Sequence, residues 1–144
     1  MDNKSRILAI LMAGFIACLF IWLICNQIKE HHQQNDPMIH DLRDILAPLF
    51  PEIKNIKIYE SEGKSYTINK EKVFLCLKNE KGDYYDKNML IYVLLHEYSH
   101  VINDEIGHTE KFHKIFDDVL DKAIKAGLYD PNIPIVKNYC NHKE

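Results

Sequence analysis

The stretch MLIYVLLHEYSHVI, residues Met89–Ile102, decides how this chain is read. Its apolar residues do not form a stripe. Ile91, Val93, Leu94, Leu95, Tyr98, Val101 and Ile102 surround a helix almost completely, which puts that helix in the middle of a domain. Asp86 or Asn88 is the expected cap, and the helix is expected over residues 88–103. Within it lie His96, Glu97 and His100. Positions i and i+4 stack on one helix face, so both imidazoles point at a single metal ion. Glu97 sits one step round, placed to hold a water rather than the metal. This H-E-x-x-H spacing is that of zinc hydrolases, and the chemistry explains it. Two neutral imidazoles and a third ligand leave Zn2+ one open position, the metal acidifies a water there, and a nearby carboxylate takes its proton. A core helix that merely happens to carry these groups is the weaker reading, because burying three of them without a partner is costly.

Zinc needs a third protein ligand, and Asp104, Glu105, His108, Glu110 and His113 follow His100. Asp104 and Glu105 stay close to the end of the same helix. His113 lies a turn into the next helix, which Thr109 caps and Phe112, Ile115, Phe116, Val119, Leu120, Ala123 and Ile124 mark as amphipathic as far as Ala126, with Gly127 as its stop. His108 stands at the turn itself, where Gly107 gives the backbone freedom to return towards the metal. The chemistry ranks His108 first, Glu110 second and His113 third.

Upstream, Asp36-Pro37 opens a helix carrying Met38, Ile39, Leu42, Ile45, Leu46 and Leu49, which Pro48 and Pro51 end near Ala47. The period then changes to two. Ile56 and Ile58 alternate with polar residues, as do Tyr66 and Ile68, with Ser61–Lys64 as a turn between them. Val73–Leu77 is a third, more apolar strand closed by a turn at Asn79–Asp83. A small antiparallel or mixed three-stranded sheet is expected. The tail 128–144 holds Pro131 and Pro134 and reads as irregular, with Ile133, Ile135, Val136 and Tyr139 packing back on the core.

Nothing in this region explains Ile7–Cys25, nineteen residues without a charge. As a helix they span about 28 Å, close to the thickness of a bilayer core. A cleaved signal peptide would have a shorter apolar core and small residues before the cut. Phe15–Cys18 faintly resembles a lipoprotein cleavage site, but cutting there would leave LFIWLIC on the mature chain. An uncleaved membrane anchor is the better reading. Lys4 and Arg6 precede it and only Lys29 follows closely, so the N-terminus is expected in the cytoplasm and the main domain on the other side, in a viral membrane or host endomembrane. Asn26–Asn35 reads as a polar tether whose His31-His32 pair is solvated. The domains expected are therefore 1–25 as tail and anchor, 26–35 as linker and 36–144 as the metal domain. Without residues 1–25 the chain keeps 16 basic and 20 acidic residues, with no basic run. That argues against sequence-independent nucleic-acid binding. Cys76 and Cys140 are too few for a disulfide framework but can pair in an oxidising compartment. Cys25 at the membrane edge is an acylation candidate, though a filler role is simpler.

His96–His100 followed by Gly107-His108-Thr109-Glu110-Lys111-Phe112 resembles the WLM- and SprT-type zinc metallopeptidases, in which a histidine opens the helix after H-E-x-x-H and an aromatic residue follows four positions later. The stretch Val73–Asp130 is similar to small metallopeptidase-like proteins of large DNA viruses. There are departures: the turn of seven residues between His100 and His108 is longer than is common there, and Tyr98-Ser99 replaces Leu-Ala. The resemblance implies an α+β fold, a minimal gluzincin-like domain of helix, three-stranded sheet, HExxH helix and supporting helix. It implies peptide-bond hydrolysis with His96, His100 and His108 on Zn2+ and Glu97 as general base. The strand before the active-site helix, Val73–Leu77, would offer its edge to an extended peptide. Tyr129 and Tyr139 are candidate oxyanion donors, each with packing as the simpler role. The rival reading is a non-catalytic membrane-anchored interaction module with a structural or vestigial zinc site. A purely structural site has no need of Glu97.

Overall fold

The computed structural model describes residues 2–140 and divides the chain into two units, Met1–His32 and Gln33–Glu144. The expected tail beyond Cys140 lies outside the described residues. The described part of the first unit is built on one helix, α1 (Asn3–Gln34), long and apolar enough to cross a membrane and ending two residues past the boundary. The polar segment read as a tether is helical rather than irregular as far as Gln34. Gln, Lys and Glu are good helix formers, no Gly or Pro interrupts them, and extending an existing helix avoids the cost of nucleation.

The second unit, from Gln33 onward, opens with a capped helix. Asp36 accepts a 2.8 Å bond from the Met38 N–H, and Pro37 begins α2 (Pro37–Leu46). This helix buries Ile39, Leu42 and Leu46, and a short 3-10 helix (Pro51–Asn55) follows. Asp36 does more than cap. Burial pushes its carboxyl up, but the Lys78 ammonium at 3.0 Å, the Met38 N–H and the Tyr84 hydroxyl outweigh that and hold it below the ordinary value. Lys78 also reaches Glu60 at 2.8 Å, so one cation ties the start of α2 to the sheet.

Three strands form that sheet: β1 (Lys57–Glu60), β2 (Tyr66–Ile68) and β3 (Lys72–Leu75), in the order β1-β3-β2. β1 runs parallel to β3 and β2 antiparallel to it, so the sheet is mixed. β2 and β3 are joined at Asn69-Lys70, both left-handed (φ 51° and 57°), with the Glu71 N–H donating to the Ile68 carbonyl. That is a type I′ hairpin turn, for which Asn is well suited and Lys is not. Directly opposed residues share a face of the sheet. Ile58, Val73 and Thr67 therefore lie on one face, and Tyr59, Phe74 and Tyr66 on the other. The second set stacks as an aromatic ladder, with centroids 4.9 and 4.7 Å apart.

One expectation fails here. β3 is the middle strand, bonded on both sides, so it has no edge for a peptide. Pairing, not chain order, decides which strand is free. The hairpin puts β2 on one flank of β3, β1 takes the other, and β2 carries the open edge beside the histidines.

The helix that is apolar all round, α3 (Lys87–Ile102), lies in the core as expected, with Asp86 as cap accepting from the Asn88 N–H. It packs against β2, β3, α2 and α4 (Glu110–Lys125). Tyr98 packs on Phe50 and donates to Glu52. Cys76 and Cys140 form a disulfide, both cysteines being buried.

Candidate metal centre

α3 delivers His96 and His100 to one face because four residues make slightly more than one turn. The chain then leaves the helix at Asn103, whose carbonyl accepts from Lys70 Nζ and whose side chain accepts from the Glu105 N–H. Gly107 adopts φ +84°, a conformation L side chains rarely take, and turns the chain back so that His108 faces the helix. Thr109 ties the return by donating to Glu105 and accepting from the Phe112 N–H as cap of α4.

The result is a three-histidine cluster. Nε2 of His108 lies 3.1 Å from Nε2 of His96 and 3.1 Å from Nε2 of His100. All three ligand atoms lie within 4.8 Å of one another, a group that can hold a metal ion. Tetrahedral ligation at 2.0–2.1 Å sets imidazole nitrogens about 3.3 Å apart, so the spacing suits zinc. The competing ligands are occupied or turned elsewhere. Asp104 pairs with Lys111, Glu105 accepts from Thr109, and Glu110 pairs with Lys114. His113 is exposed on α4, its ring 6.4 Å from that of His108.

Phe112 is fully buried beneath the cluster. Its ring stacks on His100 at 4.2 Å and meets His96 and His108 edge-on at 5.0 and 4.9 Å. Phe116 closes the floor under His96 at 5.1 Å. This apolar bed disfavours the charged form of His96 and His100. Burial, then the neighbouring His100, His108 and His113, pull His96 down to about 4, and burial and His108 lower His100. Neutral imidazole is the form that binds metal.

Glu97 is buried at 5% exposure and points towards the sheet. Burial raises its carboxyl, and a hydrogen bond from Thr67 opposes the rise. That bond, 2.6 Å from Thr67 Oγ1 to Glu97 Oε2, is the contact the sequence did not disclose. Tyr66 and Ile68 look like the core-facing residues of β2, yet the register turns Thr67 inward and leaves Ile68 40% exposed. A polar residue between two apolar ones is the one signal that could have pointed to it.

A cavity of about 520 Å3 lies between the histidines and β2, lined by His96, Glu97, His100 and His108 on one side and Tyr66 and Thr67 on the other. Of the two tyrosines considered as oxyanion donors, Tyr129 is buried against Tyr92, and Tyr139 donates to the Cys76 carbonyl and shares a 3.0 Å bond with Ser65. Both have packing and anchoring roles.

No family model matches the chain. It is 45% identical over 126 residues to Uncharacterized protein 136R of Invertebrate iridescent virus 6, covering 81% of this chain and 70% of that protein. It is 41% identical over 136 residues to Uncharacterized protein R325 of Acanthamoeba polyphaga mimivirus, covering 88% and 69%. Uncharacterized protein 042R of Invertebrate iridescent virus 3 matches at 49% over 88 residues, 60% of this chain and about half (55%) of that one. Among solved structures, Wss1 from Saccharomyces cerevisiae shares the fold, with a TM-score of 0.54 at 17% identity, covering 63% of this chain and 80% of the solved one. A mutant of Wss1 matches at the same TM-score over 67% and 90%.

Proposed function

This chain belongs to the family of those viral proteins, and on that premise we propose that it is a membrane-anchored zinc metallopeptidase with a gluzincin-like core. The observation that carries the reading is the three-histidine cluster with a buried, hydrogen-bonded Glu97 beside it. The fold likeness to Wss1, a WLM-family metallopeptidase, supports it.

His96, His100 and His108 present three imidazole nitrogens to Zn2+. Zinc, when bound, supplies a Lewis acid that polarises the scissile carbonyl and acidifies water. Glu97 takes the proton of the attacking water on its carboxylate and passes it to the leaving amine. Burial suits it to this exchange, because a raised carboxyl holds and releases a proton nearer to neutral pH. Thr67 fixes one carboxylate oxygen and so orients the other. Phe112 and Phe116 exclude water beneath the rings. The open edge of β2 binds the substrate as an added strand, through main-chain hydrogen bonds that leave side chains to alternate between faces.

α1 serves as an uncleaved anchor. The disulfide Cys76–Cys140 supports a domain in an oxidising compartment, on the far side of the membrane from the cytoplasm. The test is hydrolysis of a casein-like protein by the zinc-loaded chain in detergent, with Glu97→Gln as the control. Hydrolysis lost in the variant while zinc is retained supports the reading, and equal activity in both overturns it.

A further inference from the structure

A second cavity, of about 380 Å3, meets the first at the metal centre. Ser65, His96 and Glu97 line both. Beyond them one wall is α3, through Met89 and Val93, and the opposite wall is the tail, through Ile135 and Val136. The tail residues are apolar yet uncovered: Ile133, Ile135 and Val136 are 42%, 45% and 40% exposed. They lie between two anchors. At one end Asn88 holds Asp130, its Oδ1 accepting from the Asp130 N–H and its amide donating to the Asp130 carbonyl. At the other end stand the Cys76–Cys140 disulfide, the Tyr139 hydroxyl on the Cys76 carbonyl, and the Cys140 N–H on the Tyr85 hydroxyl. An irregular segment bearing three exposed aliphatic side chains, fastened at both ends beside a reactive site, is a wall built to face something apolar.

The chemistry says which part of the substrate that is. Glu97 delivers its proton to the leaving amine, so the amine side of the scissile bond lies on the Glu97 side of the metal. The tail cavity touches His96 and Glu97 but neither His100 nor His108. We infer that the tail, pinned by Cys76–Cys140, forms the pocket that selects a bulky apolar side chain on the residue immediately after the scissile bond. This rests on the peptidase reading above. The disulfide acts as a positioning element, because without it the far end of the wall carrying Ile135 and Val136 is held by the Tyr139 and Cys140 hydrogen bonds and by no covalent link.

The test uses the zinc-loaded full chain in detergent and quenched-fluorescence peptides that differ only after the cut, with Leu, Phe, Gly or Asp there. The wild type is expected to prefer Leu and Phe over Gly and Asp by at least about tenfold in kcat/KM. Val136→Asp, and separately the pair Cys76→Ser with Cys140→Ser, are expected to shrink that ratio below about threefold, with zinc content unchanged. A ratio that survives Val136→Asp overturns the pocket, and one that survives loss of the disulfide overturns the positioning role of the cysteines. Anisotropy of the same peptides on zinc-loaded Glu97→Gln separates the two layers of inference. Apolar preference in binding that Val136→Asp erases supports the pocket even if the wild type cuts nothing. Cleavage without preference leaves hydrolysis standing and removes the pocket.

Discussion

Thr67 donates a 2.6 Å hydrogen bond to Oε2 of Glu97, from the middle of an edge strand to the middle of a buried helix. It is a polar link between the sheet and the carboxylate beside the histidine cluster, and Lys70 bonding to the Asn103 carbonyl fastens the same hairpin to the end of the same helix. Such supporting bonds commonly account for about 10–100-fold in activity. Thr67→Val is therefore expected to lower kcat by that range with KM and zinc content little changed, and Thr67→Ser to restore most of it. Steady-state kinetics on the three proteins checks this. Equal kcat in Thr67→Val and wild type would remove the orienting role.

Glu97 should lower the stability of the metal-free chain. Burial lifts its carboxyl above the ordinary 4.5, the Thr67 bond opposing. The folded chain then keeps a proton that the unfolded chain has released, so stability falls as pH rises above that ordinary value. Glu97→Gln removes the effect. In chelator at pH 8 the variant is expected to be more stable by on the order of 1 kcal/mol, the difference shrinking towards pH 4. Thermal melts at the two pH values read it directly.

His96 gives the opposite slope. Its folded value is held down at about 4 against an ordinary 6.5. Between these values the unfolded chain binds the proton and the folded chain resists it, so stability is full above 6.5 and is lost as pH falls towards 4. Urea unfolding of the chelated chain should show this loss, and His96→Gln should flatten it.

The proposed ligand set predicts a sharp division among nearby residues. His96→Ala, His100→Ala and His108→Ala are each expected to abolish stoichiometric zinc, whereas Glu110→Ala and His113→Ala keep it. Gly107→Ala introduces a Cβ that meets nothing within 4 Å, so its cost is the backbone alone at φ +84°, about 1–2 kcal/mol. It is expected to weaken zinc binding by displacing His108. Metal analysis after gel filtration distinguishes all six.

Periodicity and capping made much of this architecture legible. Asp36-Pro37, Asp86 and Thr109 stand at the helix starts where their chemistry puts them, and the three strands lie where the period changes to two. His108 and Phe112 could be named because a turn with glycine and a buried aromatic leave clear marks in sequence. What escaped depends on pairing in space. Strand order makes β2, not Val73–Leu77, the open edge, and register turns Thr67 rather than Ile68 towards the core. The helical run through Gln34 escaped because polar helix formers carry no apolar stripe to betray them. Ile133, Ile135 and Val136 read as packing back on the core, yet they stand 42%, 45% and 40% exposed, whereas Tyr139 packs against it.

The most direct test of the central claim is the rate of peptide-bond cleavage by the zinc-loaded chain beside that of Glu97→Gln at equal zinc content. The wild type is expected to cleave, to stop on chelation and resume when zinc is restored, and to exceed the variant by at least about 100-fold. Equal rates in the two proteins, or cleavage that persists undiminished without metal, would contradict it.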